Sequence, residues 1–345
     1  MSDTARESVS RERAVSRAML RAAMHAASVD STSATDVDLG RFVASRSADA
    51  LWLSARPLTT SAGASTPGAT GVLGTALTTV AQSMLRDASP LARVIIVGEA
   101  HSLGVVARQA AYFPIEIAVC AIEGSSLTSV TAAPHPVRRE PAAAHIELGN
   151  TIRSAGADVV IEHGVVAGEV NGLEVARVVD EDCVARLRIG VGMHDRETFR
   201  MLHGDDASVD HLRDVVSHVA QHRADGAPAH PLNRLAPERA LRAAVVASPG
   251  RIAARAVHVA EPPVERANLK DSVPCVAIAH MADGAEAVVV FTAGVMVDAV
   301  PFAADARDRL NSRARLLIVA DARNVLPTQQ RLAEMLSQPA SFVSA

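Results

Sequence analysis

The sequence predicts an α/β protein: a Rossmann-like parallel-sheet domain, then a mixed α+β domain built on antiparallel hairpins. Three observations carry this. Helix-period and buried-strand runs alternate from about Asp38 to Ile122, the layout of a parallel sheet with flanking helices. A stretch rich in Ser, Thr and Pro follows over 123–141. Beyond it, Asn171-Gly172 and Asp283-Gly284 each join two apolar-rich runs, the strongest short-range hairpin signal. The expected organisation is a polar helical or disordered segment over 1–36, the Rossmann-like domain over 37–122, a Pro-rich linker over 123–141 and the α+β domain over 142–345.

Taken in order, residues 7–28 read as a polar helix followed by a Ser/Thr-rich linker. A helix near Leu39–Ser47 leads to a strand at Ala50–Ala55, and after a long loop comes a helix over Val72–Arg86. The β-branched run Ala92–Gly98 is a buried strand, followed by a helix (Leu103–Ala111) and a strand (Ile115–Ile122). In the second half, a helix over His145–Ala155 precedes a strand at Asp158–Glu162. The Asn-Gly hairpin spans 164–179, with a third strand at Ala185–Val191. Helices are expected at 195–203, 209–222 and 237–246. The second hairpin comprises Val276–His280 and Ala287–Phe291. A helix near Ala303–Leu310, a strand at Leu316–Ala320 and a helix at Pro327–Leu336 complete the pattern.

Composition narrows the function classes. Hydrophobic residues make up 49% of 345 residues, enough for a substantial core. No apolar run reaches the roughly 18 residues of a membrane span. Net charge is −4 with acids and bases interspersed, and aromatics are 2%. The chain therefore has neither the basic footprint nor the stacking platform that nucleic-acid binding uses. Cys120, Cys183 and Cys275 are far apart without CxxC spacing, as expected of reduced thiols in a cytosol. Of 34 basic residues other than histidine, only Lys270 is a lysine. This points to a GC-rich coding bias and a bacterial origin, and marks Lys270 as a candidate point charge, base or nucleophile.

The Asn-Gly turn fixes a register in which Glu169 faces Glu174, with Cβ atoms roughly 4.5–5.5 Å apart and their like charges unfavourable. A divalent ion, a shared proton, an arginine or water must offset that cost. Alternate positions Val165, Ala167, Ala176 and Val178 extend the same face, so the acids are expected to be partly buried. Glu169 and Glu174 are accordingly candidate ligands for Mg or Mn, or an acid/base pair. The alternative is a solvated hairpin end with an arginine such as Arg186 or Arg188 as partner. The helix, three-strand meander and helix around this hairpin resemble the PD-(D/E)xK nuclease core. Its acid-x-Lys position, however, reads Glu174-Val175-Ala176, so the defining lysine is absent.

Other candidates sit at element ends. His194, in Gly192–Glu197 after a strand, is a candidate general base, with Asp195 as a helix-capping alternative. Asn233, Arg234 and Arg239 lie in a turn entering a helix and read as an anion clamp. Asn268 and Lys270 precede the second hairpin, where Lys270 could approach Asp298 or Asp305. His211, His218 and His222 share one helix face. Gly68, Gly71 and Gly74 resemble a phosphate loop but follow a long loop rather than a strand, so the dinucleotide fingerprint fails.

Two functions are compatible with this pattern. One is an enzyme acting on a phosphate- or carboxylate-bearing small molecule with a divalent ion: Glu169 and Glu174 hold the metal or act as acid/base, Lys270 and Arg234 bind the anion, and His194 shuttles a proton. The other is a non-catalytic nucleotide- or partner-binding scaffold that self-assembles through its N-terminal helix.

Overall fold

In the computed structural model, the described residues are 3–58, 71–87, 89–204, 208–224, 226–266 and 273–344. The protein is α/β. It divides into two compact units. Unit 1 comprises Met1–His135, Val295–Asp308 and Val325–Phe342, and unit 2 comprises Pro136–Gly294, Arg309–Asn324 and Val343–Ala345. The return of residues near the C-terminus to unit 1 is a topology that local sequence patterns do not encode.

Unit 1 opens with helix α1 (Asp3–Ala26). One sheet follows, with strands in chain order: β1 (Thr35–Leu39), β2 (Phe42–Ser47), β3 (Ala50–Ser54), β4 (Arg93–Gly98), β5 (Glu116–Glu123) and β6 (Ser126–Ser129). Strands β3, β4 and β5 are mutually parallel, and the other neighbours are antiparallel. Parallel strands are covered on both faces. Trp52, Ile95 and Val97 pack with Leu20, Ala23 and Met24 of α1. Leu51, Leu53, Val94 and Ile96 alternate with them and are also fully buried. Helix α2 (Val72–Arg86) packs on β3 and β4, and α3 (Ala100–Ala110) on β5.

Two elements here differ from expectation. Residues 39–47 form a hairpin rather than a helix, because Gly40 takes a left-handed φ of 67° and donates its N–H to Asp38 Oδ1 at 2.9 Å. That turn closes β1 onto β2 and burying both faces of β2 imitates a helical apolar pattern. The Pro-rich stretch expected to be a linker begins with β6, turned back on β5 at Gly124.

Unit 2 contains two sheets. The first is antiparallel throughout, in the order β10-β9-β8-β7, with β7 (Asp158–Glu162), β8 (Val165–Val170), β9 (Leu173–Glu181) and β10 (Val184–Ile189). Helices α4 (Ala143–Ser154) and α6 (Val209–Arg223) cover one face through Ile152, Leu212, Val216 and Val219. Helix α5 (Gly192–His203) follows β10.

The second sheet of unit 2 runs β11 (Ala254–Ala260), β12 (Cys275–Met281), β13 (Glu286–Phe291) and β14 (Arg315–Val319), with β13 and β14 parallel. Helix α7 (Pro237–Ala247) sends Leu241 and Val245 into this sheet's core and Arg239 and Arg242 toward the glutamates of the first sheet. It thereby links the two sheets. Helix α8 (Ala299–Asn311) follows β13 and helix α9 (Pro327–Met335) follows β14 along the chain.

Candidate functional site

The Asn171-Gly172 turn has the two positive φ angles, 47° and 76°, of a type I′ hairpin. The pairing is as expected at the tip: Val170 opposes Leu173 and Glu169 opposes Glu174. One step further the register changes, because Gly168 opposes Ala176 and Ala167 opposes Arg177. Strand β9 therefore carries one extra residue at 175. A bulge of this kind re-aims side chains. In a regular strand residues 174 and 177 point to opposite faces. Here they meet: Arg177 Nε and an Nη donate to both oxygens of Glu174, each at 2.9 Å. The face expected to show Ala176 and Val178 beside the acids instead shows an arginine.

The cost of the opposed carboxylates is offset by arginines from both flanks. Glu174 also accepts from Arg196 of α5 at 2.5 Å. Glu169 is held by Arg239 and by Arg242, the latter at 3.1 Å. Glu162 joins the lattice, accepting from Arg239 at 2.5 Å and Arg242 at 2.6 Å. Glu169 and Glu174 are only 4% and 5% exposed, which rules out the solvated hairpin end. Arg188 pairs instead with Glu181.

The electrostatics follow. Burial raises the Glu174 carboxyl, but Arg177 and Arg196 outweigh it and hold the group below its ordinary value. Burial likewise raises Glu162, and Arg242 and Arg239 bring it below normal. Both stay ionised. Carboxylates so held are weak bases. They also do not fit a Mg²⁺ or Mn²⁺ site, since a cation would compete with the guanidinium groups already bonded to their oxygens. Among the described residues no group of three or more His, Cys, Asp and Glu is arranged to hold a metal. Beneath the lattice, burial pushes the Cys275 thiol up to about 12, and its Sγ donates to the Glu238 carbonyl. This is an inert, neutral thiol.

A cavity of about 620 Å³ opens on this face. Val160, Val165, Ala167, Val191 and Leu235 supply apolar wall, while Glu162, Glu174 and Glu265 with Arg177, Arg196, Arg239 and Arg266 supply the charged wall. His194 lines the cavity from the first turn of α5, exposed. Asp195 lies inside the first turn of α5 and accepts from the N–H of Val191, the N-cap residue, at 2.6 Å. A second histidine, His163, was not evident from sequence. It occupies the Glu162–Val165 turn with φ 53°, lines the cavity, and donates its backbone N–H to Glu261 at 2.7 Å. Its Nδ1 lies 3.7 Å from the same carboxylate, and its Nε2 is buried without a hydrogen-bond partner among the described residues.

The expected anion clamp is dispersed. Arg239 serves the lattice, Asn233 lines a different cavity, and Arg234 is exposed and lines neither. The segment between their turn and the helix explains this: Ala236 takes a left-handed φ of 46° and turns the chain before α7 begins. Asn268 and Lys270 lie outside the described residues, as does Gly68. Asp298 and Asp305 both belong to unit 1. Asp305 is fully buried against Arg108, at 2.7 Å. Asp298 accepts from the Gly74 N–H at 3.0 Å, so a carboxylate already fills the start of α2, and burial pushes it up to about 6. The His218 and His222 rings are joined by His230, which stacks on His222 at 3.9 Å.

No protein-family model, curated protein or solved structure matches the chain. No helix among the described residues is long and apolar enough to cross a membrane.

Proposed function

We propose that unit 2 binds a small anionic molecule with an apolar body in the 620 Å³ cavity. The observation that carries this is the lining itself, an apolar wall facing Arg177, Arg196 and Arg239. Pockets of this size, mostly apolar with a few convergent polar groups, are the usual form of ligand sites. Arg196 is the natural contact, because Glu174 keeps the bidentate Arg177 when Arg196 turns to a ligand. In this reading the Rossmann-like β3–α2–β4–α3–β5 stretch is scaffold. A thermal-shift comparison of octanoate and neutral octanol tests the proposal. Octanoate should raise the melting temperature of the wild type, and Arg196→Met should abolish the shift. A ligand at 100 times its Kd adds about 2.7 kcal/mol, well within detection. Equal stabilisation by octanol would remove the anion from the account.

One observation favours an enzymatic reading of the same cavity. Buried Nε2 of His163 has no partner among the described residues and the ring sits beside Glu261, an arrangement suited to a general base. The role expected of His194 would then fall to His163. Turnover of p-nitrophenyl octanoate that disappears in His163→Gln, with octanoate binding kept, is the expected signature. No turnover by the wild type would leave the binding reading alone.

A further inference from the structure

The turn that brings Glu169 to Glu174 also shapes a second cavity of about 390 Å³ in unit 2, lined by Asn171, Arg223, Asn233, Ser248, Arg251 and the alanine face of α7. Consecutive residues of α7 serve different cavities: Arg239 faces the larger and Ala240 the smaller. Between them, Gly172 lies directly on the α7 backbone, where a Cβ would collide with the Arg239 carbonyl.

The smaller cavity has no acid in its lining. Arg223 is tied entirely to backbone. Its Nε and one Nη donate to the Asn171 carbonyl at 3.1 and 3.0 Å, and its other Nη donates to Leu232 and Leu235 carbonyls at 2.6 and 2.9 Å. Those four bonds use four of the five N–H groups of a guanidinium. The fifth makes no hydrogen bond among the described residues, and no carboxylate bonds the guanidinium directly, although Glu169 acts on its charge. Arg251 is exposed and its side chain likewise has no partner among them. The Asn233 amide and the Ser248 hydroxyl make no side-chain hydrogen bond there either. Two arginines, Asn233 and Ser248 thus line a space with no carboxylate in its lining, beside Ala240, Ala243, Ala244 and Ala247.

We propose that this cavity is a phosphate-binding site, independent of the larger one, that takes a phosphate monoester. Arg251 and Arg223 neutralise the phosphoryl oxygens, Asn233 and Ser248 donate to them, and the organic part of the ester lies on the alanine face. Arginine forks match phosphate geometry, and bonds between ionised groups are the strong ones. The volume exceeds what a bare phosphate fills, hence an ester. Arg223 also staples the hairpin tip to the 231–235 turn, so its removal risks the fold; Arg251 and Asn233 make no such side-chain contact and are the residues to change.

The test is titration of the full-length chain with inorganic phosphate and with glycerol phosphate, followed by ³¹P line broadening. Saturable binding is expected, weakened at least tenfold in Arg251→Met and in Asn233→Asp, and unchanged in Arg196→Met. Melting temperatures without phosphate should be the same in all but Arg196→Met. Absence of saturation at tens of millimolar phosphate overturns the proposal. So does Arg251→Met binding as tightly as wild type, and so does loss of binding in Arg196→Met alone, which would place the phosphate in the larger cavity.

Discussion

The two cavities of unit 2 are both lined by arginine, yet in one every lattice guanidinium has a carboxylate and in the other none does. Around the larger, Arg177, Arg196, Arg239 and Arg242 are each bonded to Glu162, Glu169 or Glu174. Around the smaller, Arg223 meets only carbonyls and Arg251 meets solvent. Desolvating an arginine is costly unless its charge is paired. The lattice has met that cost inside the protein, and only Arg196 can leave it without stripping Glu174, which keeps Arg177. The smaller cavity has no carboxylate in its lining to bond its arginines.

The contrast can be broken most severely at Arg242, which is 1% exposed. Arg242→Met leaves Glu162 and Glu169 sharing Arg239 alone, and should destabilise the fold by about 3–5 kcal/mol in a urea melt. Adding Glu162→Gln should recover part of that loss, since it removes the buried charge left short of a partner. No recovery would show that Arg242 acts by packing.

The partition between the cavities is the next target. Gly172 has φ 76° and no room for a Cβ, so Gly172→Ala should cost about 1–3 kcal/mol. Gly250, with open space around it, should accept alanine without that loss.

A smaller effect is expected on the acid limb. Glu174 has a lower pKa folded than its ordinary 4.5, so its ion pairs stabilise fully above that value and are lost as pH falls through the folded pKa. Melting temperature should therefore drop on acidification below about pH 4.5 more steeply in the wild type than in Glu174→Gln. Parallel acid limbs would mean the pair is energetically silent.

Much of this was legible in the sequence, and the limits have physical causes. Asn171-Gly172 fixed the turn type, and with it the Glu169–Glu174 pairing, because a two-residue loop admits one register. The bulge at Val175 carries no such marker, so Arg177 could not be placed on the acid face. Arg196 and Arg239 reach their glutamates across 22 and 70 residues, distances at which local pattern says nothing. Strand β11 carries no clear two-residue alternation, because its pairing shifts between Ala254 and Ala256. Residues 39–47 misled in the opposite sense, since Leu39, Phe42 and Val43 fall at helical spacing although both faces of β2 are buried. His163 could have been flagged by one signal, a His-Gly pair between two apolar runs, which marks a turn whose side chain sits at a sheet end.

The most direct test of the division between the cavities is a parallel calorimetric titration of octanoate and inorganic phosphate into the wild type, Arg196→Met and Arg251→Met. A crossed pattern is expected: octanoate binding falls only in Arg196→Met, and phosphate binding falls only in Arg251→Met. Both ligands failing with the same variant, or neither responding to either, would contradict the account.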